Sequence, residues 1–367
     1  VEKATRTFPA QTFPASVTPF EEPLSQRFQY PFASNYLEVN GVRLHYLDEG
    51  NGPAILMLHG QPTWSYLYRK MIPPLVSAGY RCIVPDLMGF GLSDKPKGEA
   101  EYSLQRHVEL VTGLVEWLEV KDITTVGQDW GGPIGLRYAI ENQENVHALV
   151  ILNTLVRPMA VPWFFKMLFQ RRYSGFLVRR LDLFRKMAFA KGLMFKTPLD
   201  PQAKAEYKMP HPNGASRAGV AAFPKMIPTG KRHPNHQYLL EIEQVLKQWN
   251  IPVLVMFSDQ DRAFKAAEGR RIAEMVPNGR FMLVPGAGHY LQEDAGEEIA
   301  GEMVTFLEQW AKPDQWTKPQ IVPAPTTRGR RHPYRKRQTS GRQTPGSQTS
   351  GRQTSGRQTS GRRSSHQ

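Results

Sequence analysis

One carboxylate stands where the sequence makes a sharp turn. Asp129 lies in Gly127-Gln-Asp-Trp-Gly-Gly132, after an apolar run and before a helical pattern. Small residues at 127, 131 and 132 allow a tight strand-to-helix elbow, which lifts residue 129 above the C-terminal edge of a sheet. Enzymes that perform acyl transfer from this elbow carry a serine there. A carboxylate is ionised at neutral pH and forms an alkyl ester by attacking an sp³ carbon. The residue type therefore points to displacement at carbon.

Two further groups complete the acid–base set. Asp261 ends Phe257-Ser-Asp-Gln-Asp261 and His289 ends Pro285-Gly-Ala-Gly-His289, each just past an apolar run. Loops at the C-terminal ends of strands are where α/β sheets place their sites, and the order Asp, Asp, His fits nucleophile, acid and base. Asp259 is a rival for the acid. Asp261 is preferred because it lies farther past the strand, where its loop reaches the histidine. In His59-Gly-Gln-Pro62 the backbone can aim the Gln61 N–H at the reacting centre, where with the N–H of Trp130 it forms an oxyanion hole. The indole of Trp130 is a donor only, which beside a carboxylate nucleophile suits a departing anion.

The elements that must hold these residues follow from periodicity. Strands are expected at 35–39, 43–48, 54–58, 80–84, 123–127, 147–152, 252–257 and 280–284, and helices at about 64–77, 103–119, 131–142, 236–248, 265–275 and 296–311. Runs such as Ala54-Ile-Leu-Met-Leu58 are apolar on both faces, as in parallel strands covered on either side. The first two strands, split by Asn40-Gly41, read as an antiparallel hairpin. An α/β, mostly parallel, doubly wound sheet results. Between about 154 and 235 the sheet pattern stops and helical periods rich in Phe, Met, Leu, Lys and Arg take over. The organisation expected is an N-terminal arm over 1–30, a core over 31–153 and 236–312, a helical cap over 154–235, and a disordered basic repeat tail over 313–367.

Composition bounds the partners. The chain has 367 residues, a net charge of +14 and a single cysteine, Cys82, so a disulfide framework within the chain and a cysteine-based zinc cage are excluded. After Trp316 there are two Lys and ten Arg and no acid, so the tail carries +12 and everything before it only +2. A five-residue repeat of the Ser-Gly-Arg-Gln-Thr type runs through that tail from Ser340. It lacks the apolar surface to offset ordering entropy. Weak, salt-sensitive contact with nucleic acid or anionic surfaces is the most it offers. No apolar stretch is long enough to span a membrane, and 1–30 shows no secretory pattern, so a cytoplasmic location is expected.

Taken together, Tyr46-Leu-Asp-Glu-Gly50, His59-Gly-Gln-Pro-Thr-Trp-Ser-Tyr-Leu-Tyr-Arg69, Asp86-Leu-Met-Gly-Phe-Gly-Leu-Ser-Asp-Lys-Pro96, Gly127-Gln-Asp-Trp-Gly-Gly132 and Gly286-Ala-Gly-His-Tyr-Leu-Gln-Glu-Asp294 resemble the haloalkane dehalogenases of the α/β-hydrolase superfamily. The resemblance covers about 31–312. It implies an α/β-hydrolase fold with a cap inserted after a strand, a cofactor-free and metal-free hydrolase, a nucleophile at Asp129, a base at His289, an acid at Asp261 and a halide donor at Trp130. It also implies a second halide donor, for which Gln61 and Trp163 are the candidates, and an apolar substrate pocket that includes Phe164, Phe223 and Pro224. The partners would be a small haloalkane and the halide released. Rival readings are an epoxide hydrolase, with Tyr173 and Tyr207 as acids, a haloacid hydrolase, with Arg137 or the cap arginines as a carboxylate clamp, and a non-catalytic binding protein on the same scaffold.

Overall fold

The doubly apolar runs assemble into one eight-stranded sheet, seen in a computed structural model that describes residues 27–171, 173–190, 194–310 and 322–323. β1 (Asn35–Val39) and β2 (Val42–Glu49) form the hairpin. Its turn residues Asn40 and Gly41 take φ of +49° and +76°, the left-handed pair that a two-residue hairpin of matching twist requires. β3 (Ala54–Leu58), β4 (Arg81–Pro85), β5 (Ile123–Gln128), β6 (Val146–Leu152), β7 (Val253–Ser258) and β8 (Gly279–Val284) complete the order β1-β2-β4-β3-β5-β6-β7-β8. β2 is antiparallel to β1 and β4, and the other pairings are parallel.

Two helix layers cover the sheet. The helices along the core are α1 (Ile72–Ser77), α2 (Leu104–Trp117) and α3 (Gly131–Glu141). Between β6 and β7 come α4 (Trp163–Phe165, running on as a π-helical turn over Lys166–Gln170), α5 (Ser174–Leu181), α6 (Leu183–Ala188), α7 (Pro201–Lys208) and α8 (Ala218–Met226). α9 (Pro234–Leu246), α10 (Ala266–Met275) and α11 (Leu291–Trp310) follow. Alternation sorts the strand side chains onto two faces. Leu56, Leu58, Val253 and Val255 share one core cluster with α2, α3, α9 and α10. Ile55, Met57, Leu254 and Met256 share the other with α1 and α11. Because β3, β5, β6 and β7 are buried along their whole length, their C-terminal ends form a firm platform. No helix among the described residues is long and apolar enough to cross a membrane.

Two helix expectations shift. The helix expected over 64–77 divides into a 3₁₀ turn at Ser65–Tyr68 and α1, which carries prolines in its first turn. Proline lacks an N–H and is accepted only where no intrahelical bond is due. The last helix starts five residues earlier than its pattern, at Leu291, with a break at Ala295 (φ −143°).

Described segments flanking the core also tie in. At the described end of the N-terminal arm, Tyr30 and Phe32 are buried, and the Tyr30 hydroxyl lies 2.6 Å from Ser65 Oγ. Residues 1–26, and the tail apart from 322–323, lie outside the described residues. Val322 corrects the expectation that the tail has nothing to pack. It is buried, its N–H donates to Gln143 Oε1 at 2.9 Å, and its carbonyl accepts from Gln143 Nε2 at 2.9 Å. The side-chain amide of Gln143 thus pairs with one backbone unit as a neighbouring strand would. A chain ending at 317 should be less stable than one ending at 325 by about 1–3 kcal/mol, the cost of leaving a buried amide unpaired. Thermal midpoints of the two truncations check this, and equal midpoints would show that the Val322–Gln143 pairing contributes nothing.

Candidate active site

The elbow is built by the end of β5 and the start of α3. Asp129 sits between them with φ of +50°, a left-handed conformation costing about 1–3 kcal/mol for a non-glycine residue. Its backbone is held on both sides. Its N–H donates to Asn153 O at 3.0 Å, and its carbonyl accepts from Gly132 N at 3.1 Å and from Thr154 Oγ1 at 2.5 Å. A Cβ at Gly131 would overlap the Leu58 carbonyl, and one at Gly60 would overlap the Asp129 side chain. Without those atoms the Gln61 N–H reaches Asp129 Oδ1 at 2.8 Å.

The chain brings the histidine and the second aspartate to the same place. His289 Nδ1 is 2.8 Å from Asp261 Oδ2, and His289 Nε2 is 3.7 Å from Asp129 Oδ2. Asp261 is buried, and its other oxygen accepts from the N–H groups of Ala263 (2.6 Å) and Phe264 (3.1 Å). Asp259 instead accepts from Gly286 N at 2.7 Å and is exposed. It braces the histidine loop from outside. Burial disfavours the His289 imidazolium, but the charges of Asp261 and Asp129 outweigh it, and its pKa is pushed up to about 10. His59 is also buried, and burial lowers its pKa. It accepts from Leu87 N at 2.9 Å and serves the loop rather than the centre.

Several contacts around His289 escaped the sequence reading. Gln128 Nε2 lies 3.2 Å from both His289 Nε2 and His289 O. Asn153 Nδ2 donates to Gly288 O and His289 O at 3.1 Å, and to Ser258 Oγ at 2.8 Å. In the first turn of α11, just past that loop, Glu293 receives a bidentate pair from Arg69 at 2.6 Å and the hydroxyl of Tyr207 at 2.7 Å. The only cue to these contacts was position: Gln128 next to the elbow, Asn153 at a strand end, Glu293 four residues after the histidine.

Trp130 is buried at the head of α3. Its indole N–H makes no hydrogen bond among the described residues, and its ring meets Phe223 edge-on with centroids 5.9 Å apart. Phe223, on α8, also packs on Phe90 at 4.6 Å and His107 at 5.0 Å. The arrangement is a carboxylate, a charged histidine pair and an unused N–H donor under an apolar ring.

Residues 53–296 match the α/β hydrolase fold family. Over 297 residues the chain is 38% identical to a haloalkane dehalogenase of Mycobacterium marinum, an alignment spanning 76% of this chain and 97% of that protein. The chain belongs to the haloalkane dehalogenase family. A haloalkane dehalogenase of Psychrobacter cryohalolentis is 35% identical over 293 residues, covering 76% of this chain and 93% of that one. The crystal structure of haloalkane dehalogenase DatA from Agrobacterium tumefaciens superposes with a TM-score of 0.69 at 26% identity, covering 75% of this chain and 96% of that one.

Within the haloalkane dehalogenase frame, several expected site residues fall elsewhere. Trp163 is 77% exposed and Phe164 49% exposed, so neither lines a closed pocket. Helical periodicity showed only that this segment is apolar, and it is apolar on its outer side as well. Gln61 does enter the interior, but its side-chain Nε2 donates to Val220 O at 2.6 Å. The cause is Pro224, which lies inside α8. Proline has no N–H for the carbonyl four residues back, and the Gln61 amide supplies the missing donor. Of the rival acids, Tyr207 gives its hydroxyl to Glu293 and Tyr173 is half exposed. Arg137, the proposed carboxylate clamp, is bound to Glu141 and Glu241 at 2.7 Å each.

The His289 charge gives a direct test. In Asp129→Asn one of its two carboxylates is lost, so the imidazole should titrate well below about 10, where it titrates in the unaltered protein. The imidazolium's contribution to stability is fully present below the ordinary value of 6.5 and is lost as pH rises through about 10. The thermal midpoint should therefore fall across that window in the unaltered protein and fall less in Asp129→Asn. Imidazole NMR and melting curves against pH check this, and equal titration in both proteins would overturn the pairing.

Proposed function

We propose that the chain hydrolyses small haloalkanes to an alcohol and a halide. One observation carries the reading: an ionised carboxylate on the elbow faces a His–Asp pair, and the next residue offers an indole N–H with no acceptor among the described residues. A halide leaves as an anion that gains nothing useful from a proton, so it calls for N–H donors in an apolar setting. Asp129 attacks the carbon, the carbon–halogen bond breaks, and the halide departs with the bonding pair toward Trp130. The ester formed on Asp129 is neutral. His289 then loses one of the two charges that raise its pKa, releases its proton to solvent water, and becomes a base at the moment one is needed. It takes a proton from water, and the hydroxide formed adds to the Asp129 carbonyl. The N–H groups of Gln61 and Trp130 stabilise the tetrahedral oxyanion, which collapses to the alcohol and the free carboxylate.

The segment 154–235 serves as the cap in this reading. Support comes from α8, whose Phe223 lies on Trp130 and whose Val220 holds the Gln61 amide. An amide nitrogen carries two hydrogens. One is committed to Val220, and the other is proposed as the second halide donor, since Trp163 faces solvent. An epoxide hydrolase would need a free phenol acid, and the Tyr207 hydroxyl already donates its hydrogen bond to Glu293. The tail adds no more than weak, salt-sensitive contact with anionic surfaces.

His289→Ala should stop turnover after the first step. Mass spectrometry after exposure to a bromoalkane should then find an alkyl adduct on the peptide containing Asp129. An adduct on another peptide would sink the nucleophile assignment.

Trp130→Phe should lose bromide binding and about ten- to a hundredfold in rate, the worth of one charge-assisted donor at roughly 1.5–3 kcal/mol. Gln61→Ala should lose both halide affinity and stability, because Val220 O is orphaned. Adding Pro224→Ala restores an N–H to that carbonyl. The double variant should regain the stability and not the affinity. Recovery of both would show that the Gln61 amide is structural only.

A further inference from the structure

The charge and apolar surface of the cap are not accounted for by catalysis. Residues 154–235 contain sixteen Lys and Arg against three Asp and Glu, a net +13. Residues 1–153 and 236–316 together hold nineteen Lys and Arg against thirty Asp and Glu, a net −11. The near-neutral body is therefore a strongly polarised one. Within 154–181 there is no acidic residue at all.

The same stretch exposes apolar side chains. Trp163, Phe164, Met167, Tyr173, Phe176 and Leu181 are all well exposed, Phe176 at 62%. Elsewhere among the described residues the exposed large apolar side chains are Tyr36, Trp117, Leu283 and Trp310, scattered along the chain. The inner sides of these helices are already satisfied. Phe165 and Phe169 pack on each other at 5.0 Å and on Phe184 of α6, and Val178 is buried. The helices are apolar outside as well as inside, and an outer face of that kind marks an interaction surface. Tyr173, Phe176 and Arg180 follow at helical spacing, so cations and aromatics share one stripe. Arg171 and Arg180 are exposed and form no ion pair among the described residues. Directly after Leu181 the chain enters a cavity of about 130 Å³ whose lining includes Arg185, Lys186, Lys204 and Lys208. Its one carboxylate, Asp182, is bound by Arg185 and Arg217.

We propose that α4 and α5 dock the cap onto an anionic lipid surface. Aromatic and aliphatic side chains set among Arg and Lys suit the boundary between headgroups and acyl chains. The cationic pocket beyond Leu181 suits a headgroup phosphate. The negative core orients the folded body, since an anionic surface attracts the cap and repels that core. A second copy fits less well. Cap against cap opposes two charges of +13, and among the described residues the core offers no clustered apolar patch to receive the cap. Duplex nucleic acid offers phosphates but nothing for six apolar side chains. Docking stands apart from catalysis. Only its consequence, that an apolar haloalkane dissolved in the bilayer lies beside the cap, rests on the function proposed above.

The test uses the full chain with equimolar phosphatidylglycerol–phosphatidylcholine vesicles and with phosphatidylcholine alone. The combined variant Trp163→Ala, Phe164→Ala, Phe176→Ala changes only exposed residues, so its thermal midpoint should hold. It should bind the anionic vesicles at least about tenfold more weakly, the scale expected from removing three inserted side chains. Acyl chains brominated near the headgroup should quench fluorescence in the unaltered protein and quench Trp163→Phe less. Arg171→Glu with Arg180→Glu should weaken binding to anionic vesicles and leave binding to phosphatidylcholine unchanged. The proposal fails if the triple variant binds as tightly as the parent, which would assign binding to the basic tail. It fails equally if bromination leaves Trp163 unquenched, if sedimentation shows the patch buried between copies, or if the same residues hold a single-stranded oligonucleotide more tightly than vesicles.

Discussion

A charged carboxylate on a left-handed backbone residue is the constraint on which the rest of the molecule turns. Asp129 has φ of +50° and stands 3.7 Å from a buried imidazole that is itself paired to a second buried aspartate. The left-handed backbone conformation and the burial of charge are both costly alone. Each is met by groups on neighbouring strand ends. Asn153 at the end of β6 accepts from the Asp129 N–H and donates to the His289 carbonyl, so one residue registers Asp129 and His289 against each other. The closed sheet interior beneath them makes that registration stiff.

The roof over the site is tied down by polar groups that would otherwise be buried unpaired. Pro224 deprives Val220 of a donor, and Gln61, in the turn that also holds Asp129, supplies one. Glu293 takes Arg69 from the core and Tyr207 from the roof. Removing either partner would leave a buried acceptor or charge without compensation, which costs far more than the bond itself gains. The same contacts decide the chemistry by subtraction. A phenol that donates to a carboxylate cannot serve as an epoxide acid, and an arginine held by two glutamates does not clamp a substrate carboxylate. Among the described residues, what stays uncommitted near Asp129 is the N–H of an indole under Phe223, which matches an apolar substrate whose only polar product is an anion.

Charge is partitioned along with architecture. Nearly all the acids lie in the sheet core while the insert holds only three, so a net charge summed along the chain hides a field across the molecule. Within 154–235, Arg185 and Arg217 pair with Asp182 of the same insert, while Arg157 on Glu268 and Arg179 on Glu99 tie the insert to the core. The exposed Arg171 and Arg180 stand beside outward aromatics instead.

The eight strands and the elbow were legible in the sequence because they rest on local signals. Runs such as Val253–Phe257 are apolar at every position, and small residues flank Asp129. The order of Asp129, Asp261 and His289 was equally legible, since each follows a strand whose C-terminal end must face the same way. Family membership followed from motifs that are themselves local. Which partner each side chain meets was left to the tertiary structure. Gln61 and Val220 are 159 residues apart, and Arg69 and Glu293 are 224 apart, so no spacing rule relates them. Periodicity marked Trp163 and Phe164 as apolar without saying which way they face, and the packing of Phe165 and Phe169 on Phe184 turned them outward. Val322 looked like part of an unstructured tail because its segment has almost no apolar residues, and one distant amide was enough to hold it. Sequence pattern reports the energy of a residue against its immediate neighbours. Hydrogen bonds and ring contacts between distant segments exist only once the chain has closed.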